Sequence, residues 1–106
     1  MELAERRAME KVIIDVLKTV YDPEIPVDIY ELGLIYEIKI SEEKDVVIVM
    51  TLTSPSCPVA ESLPAEVEQK VAGAKGVKSA KIDLTWEPAW DKDMMSEEAL
   101  VELGMI

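Results

Sequence analysis

The segment "VVIVMTLTSPSCPVAESLPAEVEQKVAGAKGVKSAKIDL", residues 46–84, decides the fold. It opens on a β-branched run that is apolar at every position from Val46 to Met50, the pattern of a strand in the middle of a sheet. It closes on a second strand pattern, in which Ala80, Ile82 and Leu84, continued by Trp86, alternate with exposed Lys81 and Asp83. Between the two, Leu63, Val67, Val71 and Ala74 recur at helical spacing, with Gly73 and Gly76 as stops. A strand, a helix and a strand in that order predict a right-handed crossover that lays the second strand parallel to the first.

The flanking sequence completes a small sheet. In "LIYEIKI", residues 34–40, Leu34, Tyr36, Ile38 and Ile40 take one face, and Glu37 and Lys39 the other. "SEEKD" then turns the chain into the central strand. Residues 2–20 read as an amphipathic helix carried by Val12, Ile13, Val16, Leu17 and Val20, ended by Asp22-Pro23. "DPEIP" is a stiff extended linker, and "DIYELG" a single helical turn with Asp28 as N-cap and Gly33 as left-handed stop. Downstream, "EPAWDKDMM" is an irregular return, and Ser96 caps a last short helix through Leu103, with Glu97 and Glu98 in its first turn. The order α-β-β-α-β-α predicts a two-layer α/β (α+β) fold over residues 1–106 as one domain. Its three-stranded mixed sheet carries helices packed on one face.

Composition narrows the function. The chain has 106 residues, 49% apolar and 31% charged, with a formal net charge of −11. So much negative charge disfavours nucleic acid, whose phosphates need a Lys/Arg surface, and anionic membranes. It suits solubility, or else a basic protein partner. No apolar stretch reaches the ~20 residues that span a bilayer, and MELAERRAMEK has no signal-like apolar segment, so a cytoplasmic location is expected. With no histidine, Ser-His-Asp and Cys-His catalysis are excluded. With one cysteine, the chain forms no internal disulfide and no zinc site of its own from Cys and His.

That cysteine, Cys57, lies in the loop that leaves the carboxyl end of the central strand. Ligands tend to sit at such ends in open α/β sheets. With Pro58 at the first helical position, Cys57 becomes the N-cap, where unpaired N–H groups and the helix dipole favour a thiolate. A start at Ser62 instead accommodates Pro64 and leaves Cys57 in a longer loop. Thr51, Thr53, Ser54 and Ser56 surround it with hydroxyls, as hydrogen-bond donors or simply as good strand and turn residues. A free cysteine is also a small hydrophobe, but "PSCP" is loop-like rather than core-like. Asp22, Pro23 and Glu24 form a second constellation on the stiffened linker. Trp86, Trp90, Met94 and Met95 form an apolar group that covers either the sheet or a partner; Trp86 suits the core, and Trp90, with Met94 and Met95, suits partner contact.

The blocks "DPEIPVDIYELGLIY", "TLTSPSCP", "GVKSAKIDLTWEPAW" and "MMSEEALVELG", in that order, resemble the SufT/PaaD-like metal–sulfur cluster assembly factors. Eukaryotic relatives of that family belong to the cytosolic iron–sulfur targeting machinery. The resemblance implies an α/β fold like that of iron–sulfur assembly domains and a role in maturing iron–sulfur proteins. It places the family's signature cysteine at Cys57, its Asp-Pro-Glu motif at Asp22, Pro23 and Glu24, and its threonine at Thr53. The additional cysteines of PaaD-type members are missing here, as is the P-loop of ATPase-fused relatives, so the stand-alone single-cysteine branch fits.

The resemblance also implies partners: iron–sulfur assembly proteins and client apoproteins. No stably bound cofactor is expected. Clusters usually take four thiolates, so Cys57 is expected to hold a cluster transiently, as a metal ligand only with ligands from another chain, for example in a homodimer, or else to dock a partner. Two other readings compete. One is a metal-free protein–protein adaptor. The other is a thiol redox enzyme, disfavoured because no histidine or arginine lies near Cys57 in sequence and a phosphatase-type arginine is replaced by Leu63. A non-enzyme is expected.

Overall fold

The computed structural model describes residues 2–22, 25–53 and 62–104. Its elements are α1 (Leu3–Leu17), β1 (Ile35–Ile40), β2 (Asp45–Met50), α2 (Ser62–Ala72), β3 (Ser79–Leu84), a 3-10 turn at Lys92–Met94 and α3 (Glu97–Glu102). The sheet order is β1-β2-β3, with β1 antiparallel and β3 parallel to β2. The mixed sheet and the α-β-β-α-β-α order are therefore as the sequence predicts.

The register aligns side chains into rows across the sheet. Ile40, Val46 and Ala80 form one row, Ile38, Ile48 and Ile82 the next, and Ile35, Met50 and Leu84 the third. In all three the β2 member is fully buried. Contacts between α2 and β3 and between α1 and α2 close the core over these rows. On the alternate positions Lys39, Val47 and Lys81 form one row and Glu37, Val49 and Asp83 another. Here the charged residues are exposed and the valines only half-buried. The central strand is thus apolar on both faces but covered tightly on one.

Several expectations are corrected. Helix α1 ends at Leu17, before Asp22-Pro23. The chain turns at Lys18 and Thr19, whose hydroxyl donates to the Val16 carbonyl at 2.6 Å, and Val20 is buried beyond the helix. The buried stripe is Met9, Ile13 and Leu17, at i, i+4 and i+8, while Val12 is exposed. Each such side chain contributes roughly 1.5–3 kcal/mol. Ala74 lies past the end of α2. In β1 the alternation breaks between Ile35 and Glu37, so Ile35, not Tyr36, stands opposite Met50. Tyr36 is the extra residue of a bulge, a device that re-aims a side chain. Trp86 lies beyond β3 and is 39% exposed, and Trp90 is the tryptophan packed against the core.

Candidate functional site

The turn at residues 28–33 organises the region around the predicted site. Asp28 caps it, its Oδ2 accepting from the Glu31 amide at 3.0 Å and its carbonyl from the Leu32 amide at 3.0 Å. Gly33 ends it at φ +84, as the sequence implies. A Cβ there would stand 2.2 Å from the Met94 carbonyl oxygen, so glycine is required by contact as well as by conformation. The C-terminal return docks on this turn through more bonds. Trp90 Nε1–H donates to the Leu32 carbonyl at 2.7 Å, the Ser96 amide donates to the Glu31 carbonyl at 2.8 Å, and the Ser96 hydroxyl donates to the Glu31 carboxylate.

Those contacts change the picture of the Trp90, Met94 and Met95 group. Met95 is buried in the core, and Trp90 is half-buried with its only donor engaged. Met94 Sδ lies 3.5 Å from the Tyr36 hydroxyl. Met95 is thus a core residue, Trp90 is held half-buried against the turn, and Trp86 is the exposed tryptophan.

Asp22 is buried, as a member of a short loop closed on itself. Its Oδ1 accepts from the Ile25 amide at 3.2 Å, and the chain re-pairs through a Tyr21–Asp28 bridge. A line of backbone hydrogen bonds ties this loop to the central strand. The Ile29 amide donates to Val20 O (2.9 Å), Leu34 to Ile29 O (3.2 Å), and Thr51 to Leu34 O (2.9 Å). The resemblance pairs Asp22 with Thr53; the relay runs from Val20, two residues before Asp22, to the Thr51 amide, two residues before Thr53.

Thr51 and Thr53 follow the carboxyl end of β2. Thr51 is fully buried, and among the described residues the Oγ1 atoms of both threonines are buried without a hydrogen-bond partner. Such an orphaned hydroxyl costs roughly 1–3 kcal/mol, so two together, just past a strand end, are unusual for purely structural residues. Tyr36 completes the surroundings. Its hydroxyl donates to the Pro88 carbonyl at 2.7 Å. Burial raises its pKa above the ordinary phenol value, while the nearby Thr51 hydroxyl, short of hydrogen-bond geometry, opposes that rise. No sequence signal singles out Tyr36 here, because the bulge that displaces it has no pattern of its own.

Pro23, Glu24, Ser54, Ser56, Cys57 and Pro58 lie outside the described residues, as does the choice between the two helix starts considered for Cys57. Among the described residues no group of three or more Cys, Asp or Glu side chains converges as a metal site, and no helix is long and apolar enough to cross a membrane.

A family model described as "Iron-sulfur cluster assembly protein" matches residues 10–84. The chain belongs to that family. The match runs from α1 through β3 and so includes Asp22, both orphaned threonines and Cys57. Among named relatives, an Fe-S protein maturation auxiliary factor of Porphyromonas gingivalis is 55% identical over 97 residues, covering 92% of each chain. The Fe-S protein maturation auxiliary factor YitW of Bacillus subtilis is 39% identical over 98 residues, covering 92% of this chain and 96% of that one. Among solved structures, a crystal structure of a DUF59 domain from Bacillus anthracis superposes with a TM-score of 0.86 at 35% identity, covering 94% of this chain and 95% of that one. The family's fold is the one described above.

Proposed function

We propose that this chain is an accessory factor in iron–sulfur cluster assembly or in the delivery of clusters to client apoproteins, and not an enzyme with a substrate of its own. The supporting observation is the pair of buried hydroxyls, Thr51 and Thr53, unpartnered among the described residues, just after the strand that precedes Cys57 in the chain. The family and the names of the relatives supply the cargo.

The cluster is cargo rather than a resident group. One chain offers one thiolate, whereas clusters are usually held by four, so Cys57 ligates transiently, with the remaining ligands from a second molecule. Hydrogen bonds to cluster sulfurs tune a cluster's stability and potential, and the hydroxyls of Thr51 and Thr53 are the donors this reading assigns to that task. Asp22 closes its own short loop by accepting from the Ile25 amide. The soluble assembly machinery and apoprotein clients are the partners. An adaptor without metal chemistry is the second reading, favoured by the exposed Trp86 and the acidic surface.

Anaerobic reconstitution with iron and sulfide tests the proposal on wild type and Cys57→Ser, followed by transfer to an apo client. Expected are cysteine-dependent visible absorption and a gain of client activity that Cys57→Ser loses. A Cys57→Ser protein that matures clients as well as wild type overturns ligation and leaves the adaptor.

A further inference from the structure

Both outer strands of the sheet present an edge, and the two edges are built differently. On β1 the bulge at Tyr36 breaks the ladder, and Arg6 Nη1 donates to the Ile40 carbonyl at 2.7 Å. Bulges and covering side chains are how sheets close an edge. Among the described residues edge strand β3 has neither, and it pairs with β2 in unbroken register over Ser79–Leu84.

Its free hydrogen-bonding groups can be assigned. Thr85 N–H donates to Met50 O at 2.8 Å, in phase with the β2–β3 ladder. Backbone groups of successive residues in a strand point to opposite sides. Residues 81 and 83 therefore turn their amides and carbonyls to β2, and Ala80, Ile82 and Leu84 turn theirs outward. Among the described residues no group outside the β2–β3 ladder is bonded to these.

We infer that the β3 edge is a self-recognition surface, on which a second copy of this chain adds antiparallel to form a continuous six-stranded sheet about a two-fold axis at Ile82. The charges choose both partner and register. Hydrogen-bonded antiparallel pairs require outward-facing residues on both sides, which leaves few registers. With Ile82 opposite the partner's Ile82, Ala80 stands opposite the partner's Leu84, and Lys81 opposite the partner's Asp83. That charge pair falls at a non-hydrogen-bonded position, where side chains approach closest. A shift by one pair in either direction puts Lys81 opposite the partner's Lys81, or Asp83 opposite the partner's Asp83.

The complementarity extends beyond the edge. On the exposed face, one row reads Lys39, Val47, Lys81 and the next Glu37, Val49, Asp83. The two-fold axis continues the basic row of one copy into the acidic row of the other. Lys81 and Asp83 have no ion-pair partner within their own chain among the described residues. A self-pairing edge thus answers the charge pattern better than an unrelated acidic or basic peptide, which would set like charge against one of the two rows.

The test is sedimentation velocity over a concentration series on full-length wild type, Lys81→Glu and Asp83→Lys, with far-UV circular dichroism confirming that each folds. Wild type is expected to dimerise reversibly. Each single variant sets like charges opposite at two symmetry-related pairs, and its dimer should weaken by roughly tenfold. Mixing the two variants at equal amounts restores complementarity at every pair and should restore dimers, as should the double charge swap within one chain. Ala80→Pro removes an outward N–H without touching the β2 ladder and should yield monomers. A wild type that stays monomeric at millimolar concentration overturns the inference. So does a dimer indifferent to Lys81→Glu and Asp83→Lys, or single variants that fail to recover on mixing.

Discussion

At the scale of single residues the most informative atom is Thr51 Oγ1, fully enclosed near the Tyr36 hydroxyl and, among the described residues, without a partner in hydrogen-bond geometry. A hydroxyl kept in that state is a standing cost unless something binds to it. Thr51→Val keeps nearly the same shape and removes the unsatisfied group, so stability should rise by about 1 kcal/mol, a shift of a few degrees in Tm. Maturation of client proteins should fall in the same variant if the hydroxyl serves the cargo. Chemical denaturation and a client assay together check this; a loss of stability would mean that the hydroxyl has a partner in the folded protein. The sequence located both threonines through their place after a β-branched run. It gave no means of knowing that their hydroxyls would be orphaned, since satisfaction depends on neighbours brought from elsewhere in the chain.

At the scale of elements, what could be read followed from local chemistry. Asp28 and Ser96 are helix-capping residue types next to an apolar pattern, and both cap as expected, Ser96 Oγ accepting from the Ala99 amide at 3.1 Å. The strands and their order follow from β-branched runs separated by one crossover. The misreadings arose where tertiary contact decides. Trp86 continues the alternation of β3 in sequence, but the strand stops at Leu84 and the chain leaves the sheet, so the larger burial passes to Trp90 and its bond to the Leu32 carbonyl. Gly33 shows the same dependence from the other side. Its left-handed conformation is legible from "ELG", its contact with Met94 is not. Gly33→Ala should cost roughly 3 kcal/mol or more, because the added Cβ meets backbone at a positive φ. Thermal unfolding measures it, and a loss below about 1 kcal/mol would show that the return segment can move away freely.

For the whole molecule, net charge is the dominant electrostatic fact. Twenty-two acidic residues face eleven basic ones, and ion pairs such as Lys11–Asp15 at 3.7 Å and Lys70–Glu66 at 3.3 Å are solvent-exposed. Exposed pairs contribute little, so self-repulsion outweighs them. Raising NaCl from about 0.01 to 0.3 M shortens the screening length severalfold and should raise unfolding stability, by on the order of 1 kcal/mol. Stability that falls steadily with salt would show that the ion pairs matter more than the excess charge. The docked turn at residues 28–33 also sets an order of assembly. Its own hydrogen bonds join residues no more than a few positions apart, so it closes early, with little chain entropy lost. The tryptophan indole, the Met94 carbonyl and the Ser96 cap all come to it from about sixty residues away, and none has a seat until the turn exists. The chain therefore builds the lock well before it supplies the bolt.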